Sequence, residues 1–253
     1  MINDEFIKKH SLLECLQEFK GAHKNGTMNR LESVTVEFLA LAKKLLYGGH
    51  FIVSDNNNKE LLKIELRSVE FYYHEENDNL VDQNDEKDRK ICDPIMYHKN
   101  PKNGKNKKKA FKTGILNPHV SGIDITFEDY AEDKKPEDVV YRASVLLRSF
   151  YVIQNNERKV DECSTHLYDY LLMNSPLMPD AEIRIKWVEH NVANNNELYC
   201  GHRLNVFKYG DDGEKTTDVD TREWGFAREE ITITNVDKNK KKLPPETYHA
   251  INQ

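Results

Sequence analysis

The sequence predicts an α+β fold, and three observations support that prediction. Apolar residues recur at helical spacing over residues 1–20 and again over residues 34–46. Short stretches of alternating apolar and polar residues, separated by turns rich in Asn, Asp and Gly, fill most of the remaining chain and are typical of strands. No internal repeat and no long linker interrupts the 253 residues. We therefore expect a single compact domain that combines helices with a β-sheet.

The composition excludes several classes of protein. The formal net charge is −6, so bulk positive charge is not expected to bind nucleic acid, although a local basic patch stays open. No two of the four cysteines have a C-x-x-C spacing, so no metal site is indicated. No apolar run approaches the ~20 residues of a membrane span, and the first residues lack a signal-peptide pattern. We therefore expect a soluble cytoplasmic protein without a membrane partner. The four cysteines are Cys15, Cys92, Cys163 and Cys200.

The beginning of the chain is predicted to contain two helical segments. Apolar positions over residues 1–20 have helical spacing, and the pattern then breaks. A broader apolar face over residues 34–46 predicts a second helix, which Gly48 is expected to end. In the predicted organisation, residues 1–30 form an N-terminal helical extension and residues 31–253 form the main α+β domain.

The stretch over residues 64–76, IELRSVEFYYHEE, is the one around which the candidate site is organised. It follows a short strand and an Asn-rich turn, so residues 61–70 are predicted to be the return strand of a hairpin. Glu70 precedes several aromatic residues, whose rings can exclude water from its carboxylate. The alternative is an amphipathic strand with a solvated end. Alternation predicts one face with Ile64, Leu66 and Ser68 and another with Glu65, Arg67 and Val69.

Two polar segments follow this strand. Residues 75–90 are almost wholly charged or amide residues and should form a solvated loop. Residues 99–112 are strongly basic, and two interpretations stay open: a flexible loop or a segment that contacts phosphates. The candidate nucleic-acid contacts in this basic segment are Lys102, Lys105, Lys107, Lys108 and Lys109.

Two later strands carry charges of interest. Residues 122–127 predict a strand that places Asp124 on the opposite face from its apolar neighbours. Residues 141–152 predict a strongly apolar strand that Arg148 interrupts, and a buried charge is costly unless it is paired. Glu70 and Asp124 are the candidate partners of Arg148, whereas an arginine at a strand end would extend to solvent.

The last third of the chain is predicted to hold a short helix and further strands. The helix covers residues 167–173, and the strands cover residues 183–188, 204–207 and 231–233. Trp224 and Phe226 are expected to lie in the core, because large rings contribute most when they are buried.

The order and spacing of several motifs resemble the alkyladenine (3-methyladenine) DNA glycosylase family over roughly residues 35–230. Residues 41–46 resemble the end of a family helix, and Glu70-Phe71-Tyr72 stands where the family has Glu-Ala-Tyr. The other matching segments are His98, residues 143–149 with Arg148, residues 201–206 and residues 224–226. There are two departures: the loop before His98 is longer, and His119 or Ser121 stands in place of a tyrosine that wedges into the duplex.

The resemblance implies a fold, an activity and a set of site residues. The fold would be a curved, mostly antiparallel β-sheet with surrounding helices. The activity would be that of a base-excision repair hydrolase that needs no cofactor, with Glu70 as the general base and Arg148 holding the water or Glu70. Tyr72 and His98 would stack on the base, which is extruded from DNA. The remaining substrate contacts would be His119 and Asp124.

Three functions stay open on the sequence. The first is a DNA glycosylase that removes a damaged or modified purine. The second is a catalytically silent protein of the same fold that binds a nucleotide, nucleic acid or another protein, which the acidic balance and the missing wedge favour. The third is glycosidic cleavage on a free nucleotide or a single strand. Convergence of Glu70, Tyr72, His98 and Arg148 on one pocket would favour an enzyme.

Overall fold

The computed structural model describes residues 1–23, 28–76, 90–93, 95–96, 99–100, 106–171, 184–193, 196–209, 215–236 and 240–251. It shows an α+β fold in which a few helices pack on a mostly antiparallel sheet, which confirms the predicted fold class. Within these ranges, no helix combines the length and the apolar character needed to cross a membrane.

Side-chain caps start the first three helices of the chain. The helices are α1 (Asp4–Lys9), α2 (Leu12–Glu18), α3 (Arg30–Tyr47) and α4 (Leu167–Leu171), with 3-10 turns at Pro136–Asp138 and Ser164–His166. The apolar pattern over residues 1–20 predicted a single helical segment, but the structure has two helices there. Ser11 and Glu14 form a capping box that starts α2, and Asn29 and Glu32 form another that starts α3. Gly48 ends α3, as predicted.

One large antiparallel sheet contains most of the strands. The strands of the described ranges are β1 (Gly49–Ser54), β2 (Glu60–Glu75), β3 (Leu116–His119), β4 (Gly122–Thr126), β5 (Tyr141–Gln154), β6 (Glu157–Asp161), β7 (Arg184–Glu189), β8 (Tyr199–Gly201), β9 (Phe207–Tyr209), β10 (Lys215–Val219), β11 (Gly225–Ala227), β12 (Thr232–Ile233), β13 (Glu246–Thr247) and β14 (His249–Ala250). The sheet order is β14-β8-β11-β2-β5-β4-β3; in addition β1 pairs with β2, β7 pairs with β1, and β6 pairs with β5. The pairs β9–β10 and β12–β13 form separate ribbons.

The core lies between α3 and the centre of the sheet. Phe38 of α3 stacks on Phe71 of β2 with ring centroids 4.5 Å apart, and its ring meets the edge of Trp224 at 5.1 Å. Trp224 and Phe226 are buried, as predicted. Phe19, which follows α2, contacts Phe38 in the same cluster. The segment predicted to be an N-terminal extension therefore contributes side chains to the core of the main domain.

A pair of β-bulges changes the alternation of the central strands. Leu66 pairs with Phe150 and Ser68 with Ser149, so Arg67 is an extra residue in β2. The next pair joins Val69 to Leu147, which makes Arg148 an extra residue in β5. The predicted faces of β2 are therefore wrong beyond Arg67: Val69 belongs to the same apolar cluster as Ile64 and Leu66, whereas Ser68 shares the other face with Glu70.

The strand predicted over residues 204–207 is wrong at its beginning. Leu204 and Asn205 lie in a turn, and β9 starts only at Phe207. Asn205 has a φ of 59°, a left-handed conformation that a strand does not accommodate. The side-chain amide oxygen of Asn205 accepts a hydrogen bond from the Val236 N–H at 2.9 Å, and its backbone N–H donates to Asn235. These bonds connect the turn to the segment that follows β12.

Candidate active site

A cavity of about 310 Å³ lies on the sheet face that turns away from α3. Alternation in β5 explains this, because Val145 belongs to the core cluster whereas the neighbouring Ser144 and Leu146 line the cavity. This volume is typical of a site for a small molecule. The predicted site residues that line the cavity are Glu70, Tyr72, His119, Asp124 and Arg148. His98, the remaining predicted substrate contact, is outside the described residues.

Glu70 is held on both of its carboxylate oxygens. Its Oε1 accepts a hydrogen bond from the Leu204 backbone N–H at 2.9 Å and lies 3.5 Å from Arg148 Nε. Its Oε2 accepts a hydrogen bond from the Tyr72 hydroxyl at 2.9 Å. The Glu70 side chain is only 2 % exposed. These contacts fix the direction of the carboxylate. Its oxygens still have lone pairs that can accept a hydrogen bond from a water molecule.

Arg148 reaches the cavity because it is the extra residue of the bulge in β5. Its Nη1 donates to Ser164 Oγ at 2.9 Å, and that hydroxyl donates to the Ser121 carbonyl at 2.6 Å. Of the two carboxylates that the sequence offered as partners, Glu70 is the one with which Arg148 forms an ion pair. Bulges are frequent beside active sites, where they redirect a side chain.

Asp124 and His119 form a second polar group in the cavity. Asp124 accepts hydrogen bonds from His119 Nε2 and from Ser144 Oγ, each at 2.9 Å. His119 Nδ1 accepts a hydrogen bond from the Ser121 backbone N–H at 3.3 Å, which places the ring proton on Nε2. The carboxylate and the ring are thereby fixed, since each of them has partners on two sides.

A fully buried arginine, Arg203, packs against the ring of Tyr72. The Cζ atom of Arg203 lies 4.7 Å from the centre of the Tyr72 ring and 5.4 Å from that of Trp224. Arg203 Nη1 donates to the Phe71 carbonyl at 3.0 Å and also to the buried carboxylate of Asp93. Burial, with the Glu70 charge as a further cause, raises the pKa of Tyr72 well above its ordinary value. The Tyr72 hydroxyl therefore remains a hydrogen-bond donor to Glu70.

The basic segment does not line the cavity in its described part. Lys107, Lys108 and Lys109 are exposed, and the backbone carbonyls of Lys108 and Lys109 accept hydrogen bonds from Arg142 at 2.6 and 3.1 Å. Arg142 lies two residues before Ser144 on β5, so the segment is fixed at one end of the strand that forms the cavity. Lys102 and Lys105 lie outside the described residues.

Sequence reasoning missed several groups that build the cavity. The Leu204 N–H is a backbone donor on a residue that was predicted to lie in a strand. Ser144 and Ser164 are short polar residues whose roles depend on which strands meet. Arg203 follows a short strand and lacks the long apolar flanks that drew attention to Arg148. A buried arginine whose carboxylate partners come from distant segments becomes recognisable only in three dimensions.

The described part of the cavity contains no group of three His, Cys, Asp or Glu side chains placed to share a metal ion. Outside the cavity, Cys200, Glu223 and His249 do form such a group. The absence of a C-x-x-C spacing had indicated no metal site, but these three residues come from separate segments of the chain.

Comparisons of the chain with protein-family models, with curated proteins and with solved structures found no match. The function is therefore argued from the geometry of the cavity.

Proposed function

We propose that this protein is a DNA glycosylase-like hydrolase that cleaves the N-glycosidic bond of a damaged or modified purine, as in base-excision repair. The observation that supports this most directly is that Glu70, Arg148 and Tyr72 share one cavity and contact one another through Glu70. These are residues for which the resemblance to alkyladenine DNA glycosylases implies catalytic or substrate-binding roles. The glycosylase-like form of the α+β fold is part of the same proposal.

Glu70 has the role of general base in the proposed reaction. A water molecule donates a proton to the Glu70 carboxylate while its oxygen attacks the sugar carbon. The C–N bond breaks, and its electron pair leaves on the base. Positive charge develops on the sugar in the transition state, and the fixed Glu70 carboxylate stabilises that charge. Arg148 and the Leu204 N–H keep the carboxylate from rotating away from the water.

Substrate recognition would use the other residues of the cavity. The Tyr72 ring offers a surface for stacking on the base, and His98 is proposed as the second ring. Asp124 and His119 are fixed polar groups that can recognise the edge of a purine, since purines present both donors and acceptors there. The cavity volume of about 310 Å³ limits the bound group to a single extruded base with part of its sugar.

DNA is the proposed macromolecular partner. The chain has a formal net charge of −6, so binding would depend on a local basic surface near the cavity rather than on total charge. The exposed Lys107, Lys108 and Lys109 are the described part of that surface, and Lys102 and Lys105 are proposed to extend it.

A catalytically silent binding protein is the second candidate. One observation favours it: each oxygen of Glu70 already has a protein partner, which a purely structural carboxylate would also have. Such a protein would bind a nucleotide, nucleic acid or another protein through the same cavity.

Release of free base from oligonucleotides tests the proposal. The substrates carry alkylated or deaminated purines in single-stranded and double-stranded form. We expect release by the native protein and a loss of about 10²- to 10⁴-fold in Glu70→Gln. Glu65→Gln is the matched control, because Glu65 lies on the same strand but does not line the cavity. It should retain full activity.

The outcomes separate the candidates. Release that Glu70→Gln retains would overturn the role of Glu70. Binding of the oligonucleotides without release would favour the silent binding protein. Neither release nor binding would contradict both functions. A melting curve of each variant ensures that a loss of activity is not a loss of folding.

A further inference from the structure

Three side chains of the kinds that bind transition metals meet on outer strands of the large sheet. Cys200 lies in β8, His249 lies in β14, and Glu223 comes two residues before β11. β8 lies between β14 and β11 and pairs with both, with Cys200 opposite His249 in one ladder and opposite Phe226 in the other. Backbone pairing therefore determines how the segments that carry these side chains are placed.

The distances between the three ligand atoms suit a single ion. Cys200 Sγ lies 3.3 Å from His249 Nε2 and 3.9 Å from Glu223 Oε2. His249 Nε2 and Glu223 Oε2 are 3.8 Å apart. Around a tetrahedral Zn²⁺ with bonds of about 2.0–2.3 Å, neighbouring ligand atoms are about 3.3–3.6 Å apart. Shifts of a few tenths of an ångström would bring all three atoms within bonding distance of an ion between them.

The burial of the three residues also suits the binding of a single ion. Cys200 is 7 % exposed and provides a fixed position. The side chains of His249 and Glu223 are 59 % and 47 % exposed, so they can rotate toward an ion.

We propose that Cys200, Glu223 and His249 bind Zn²⁺, with water as the fourth ligand. On binding, the thiol proton leaves to solvent and a sulfur–zinc bond forms, so that thiolate and carboxylate together balance the two charges of the ion. A thiolate and an imidazole favour zinc over magnesium or calcium, which prefer oxygen ligands. The inference is independent of the proposed glycosidic cleavage, because these residues lie outside the cavity.

A bound ion would fix the C-terminal segment to the sheet. β14 has only two residues, so its backbone pairing alone is a weak attachment. Tyr248 precedes His249, and its ring covers Gly201 and Gly225 so closely that a Cβ on either glycine would overlap it. Gly225 in turn pairs with Glu70. Zinc bound to His249 would therefore help to hold Tyr248 against β11, the strand that pairs with β2 at Glu70.

Cobalt spectroscopy on the full chain tests the site directly. The protein is freed of metals with a chelator and titrated with Co²⁺, which takes the place of Zn²⁺ and reports thiolate coordination through a charge-transfer absorption. We expect this absorption to saturate at a single ion per chain and to disappear when Zn²⁺ is added. Zn²⁺ should also raise the melting temperature of the metal-free protein.

Variants identify the ligands. Cys200→Ala should lose the charge-transfer absorption, and His249→Asn and Glu223→Gln should weaken Co²⁺ binding at least tenfold. His249 is exposed, so its variant is expected to fold even if the buried Cys200→Ala does not. Cys92→Ala is the control, because this exposed cysteine is not part of the group. The absence of thiolate absorption, or binding that His249→Asn leaves unchanged, would overturn the proposal.

Discussion

The charge of Asp220 depends on two arginines. Burial acts to raise the pKa of Asp220, but the hydrogen bonds and charge of Arg222 and the charge of Arg203 lower it from 3.8 to about 2. The folded-state pKa is thus lower than that of the unfolded chain. The carboxylate therefore stabilises the fold above about pH 4, and this stabilisation is lost as the pH falls toward about 2.

We expect Asp220→Asn to lower the free energy of unfolding at pH 7 by about 2 kcal/mol or more. The difference from the native protein should shrink between about pH 4 and about pH 2, because the native carboxylate becomes protonated there. Urea unfolding at a series of pH values measures this. Asp133→Asn, at an exposed position in the turn before β5, is the control and should change stability by less than about 0.5 kcal/mol. A difference that does not vary with pH would contradict the assignment.

The two arginines near Glu70 differ in how well the sequence alone predicts their partners. Arg148 stands in an apolar strand, so the cost of an unpaired buried charge predicted a partner, and the ion pair with Glu70 provides it. Arg203 is more deeply buried, yet its neighbours in sequence are ordinary. Its surroundings come from Asp93, Tyr72 and Asp220, which are distant along the chain. No local pattern could have revealed it.

At the scale of elements, the turn between β3 and β4 packs against a residue that lines the cavity. Gly122 begins β4 with a φ of +139°, a conformation that other residues rarely adopt. A Cβ at Gly122 would lie 2.9 Å from the Cβ of Ser164. Ser164 holds Arg148 through its hydroxyl, so a displacement of Ser164 would be transmitted to the charge beside Glu70.

We expect Gly122→Ala to lower stability by about 1–3 kcal/mol and to reduce base release as well. Gly114→Ala is a matched control: Gly114 has a φ of +81° and a close neighbour in Leu13, which does not line the cavity, whereas Ser164, the neighbour of Gly122, does. It should lose stability without losing activity. Thermal melts and base-release rates on both variants make the comparison. Equal losses of activity in the two variants would contradict the proposed connection through Ser164.

The length of an element decided whether the sequence could predict it. The helix α3 and the strands β2 and β5 have long apolar patterns with clear caps or turns, and all three were predicted. β8 and β14 have three and two residues, which is too short for a periodic pattern. The bulges were missed because an extra residue is defined only relative to the partner strand.

At the scale of the whole molecule, the N-terminal segment and the sheet depend on each other. Phe19 packs edge-on against Tyr73, Phe127 and Tyr141, with centroids 5.2–5.9 Å away. The Tyr141 hydroxyl also donates to the Phe19 carbonyl at 2.8 Å. These contacts connect the end of α2 to three strands or loops of the main domain.

We expect Phe19→Ala to reduce the free energy of unfolding by about 3–5 kcal/mol, because it removes a buried ring and leaves a cavity. Leu13→Ala is the control on the same helical segment, since Leu13 is 48 % exposed and should contribute little. Denaturant unfolding measures both. A small effect of Phe19→Ala would favour the predicted division at residue 30, in which the first residues form a separate extension.

Because of the two bulges, neither Arg67 nor Arg148 has a paired residue on the opposite strand of the β2–β5 ladder. Leu66 pairs with Phe150 before the bulges and Val69 with Leu147 after them, so one inserted residue offsets the other. A chain shortened by both arginines would pair as an uninterrupted ribbon with the same apolar side. The charge that faces Glu70 is therefore carried by an inserted residue, Arg148. The alternating pattern of β5 does not require a residue at that position.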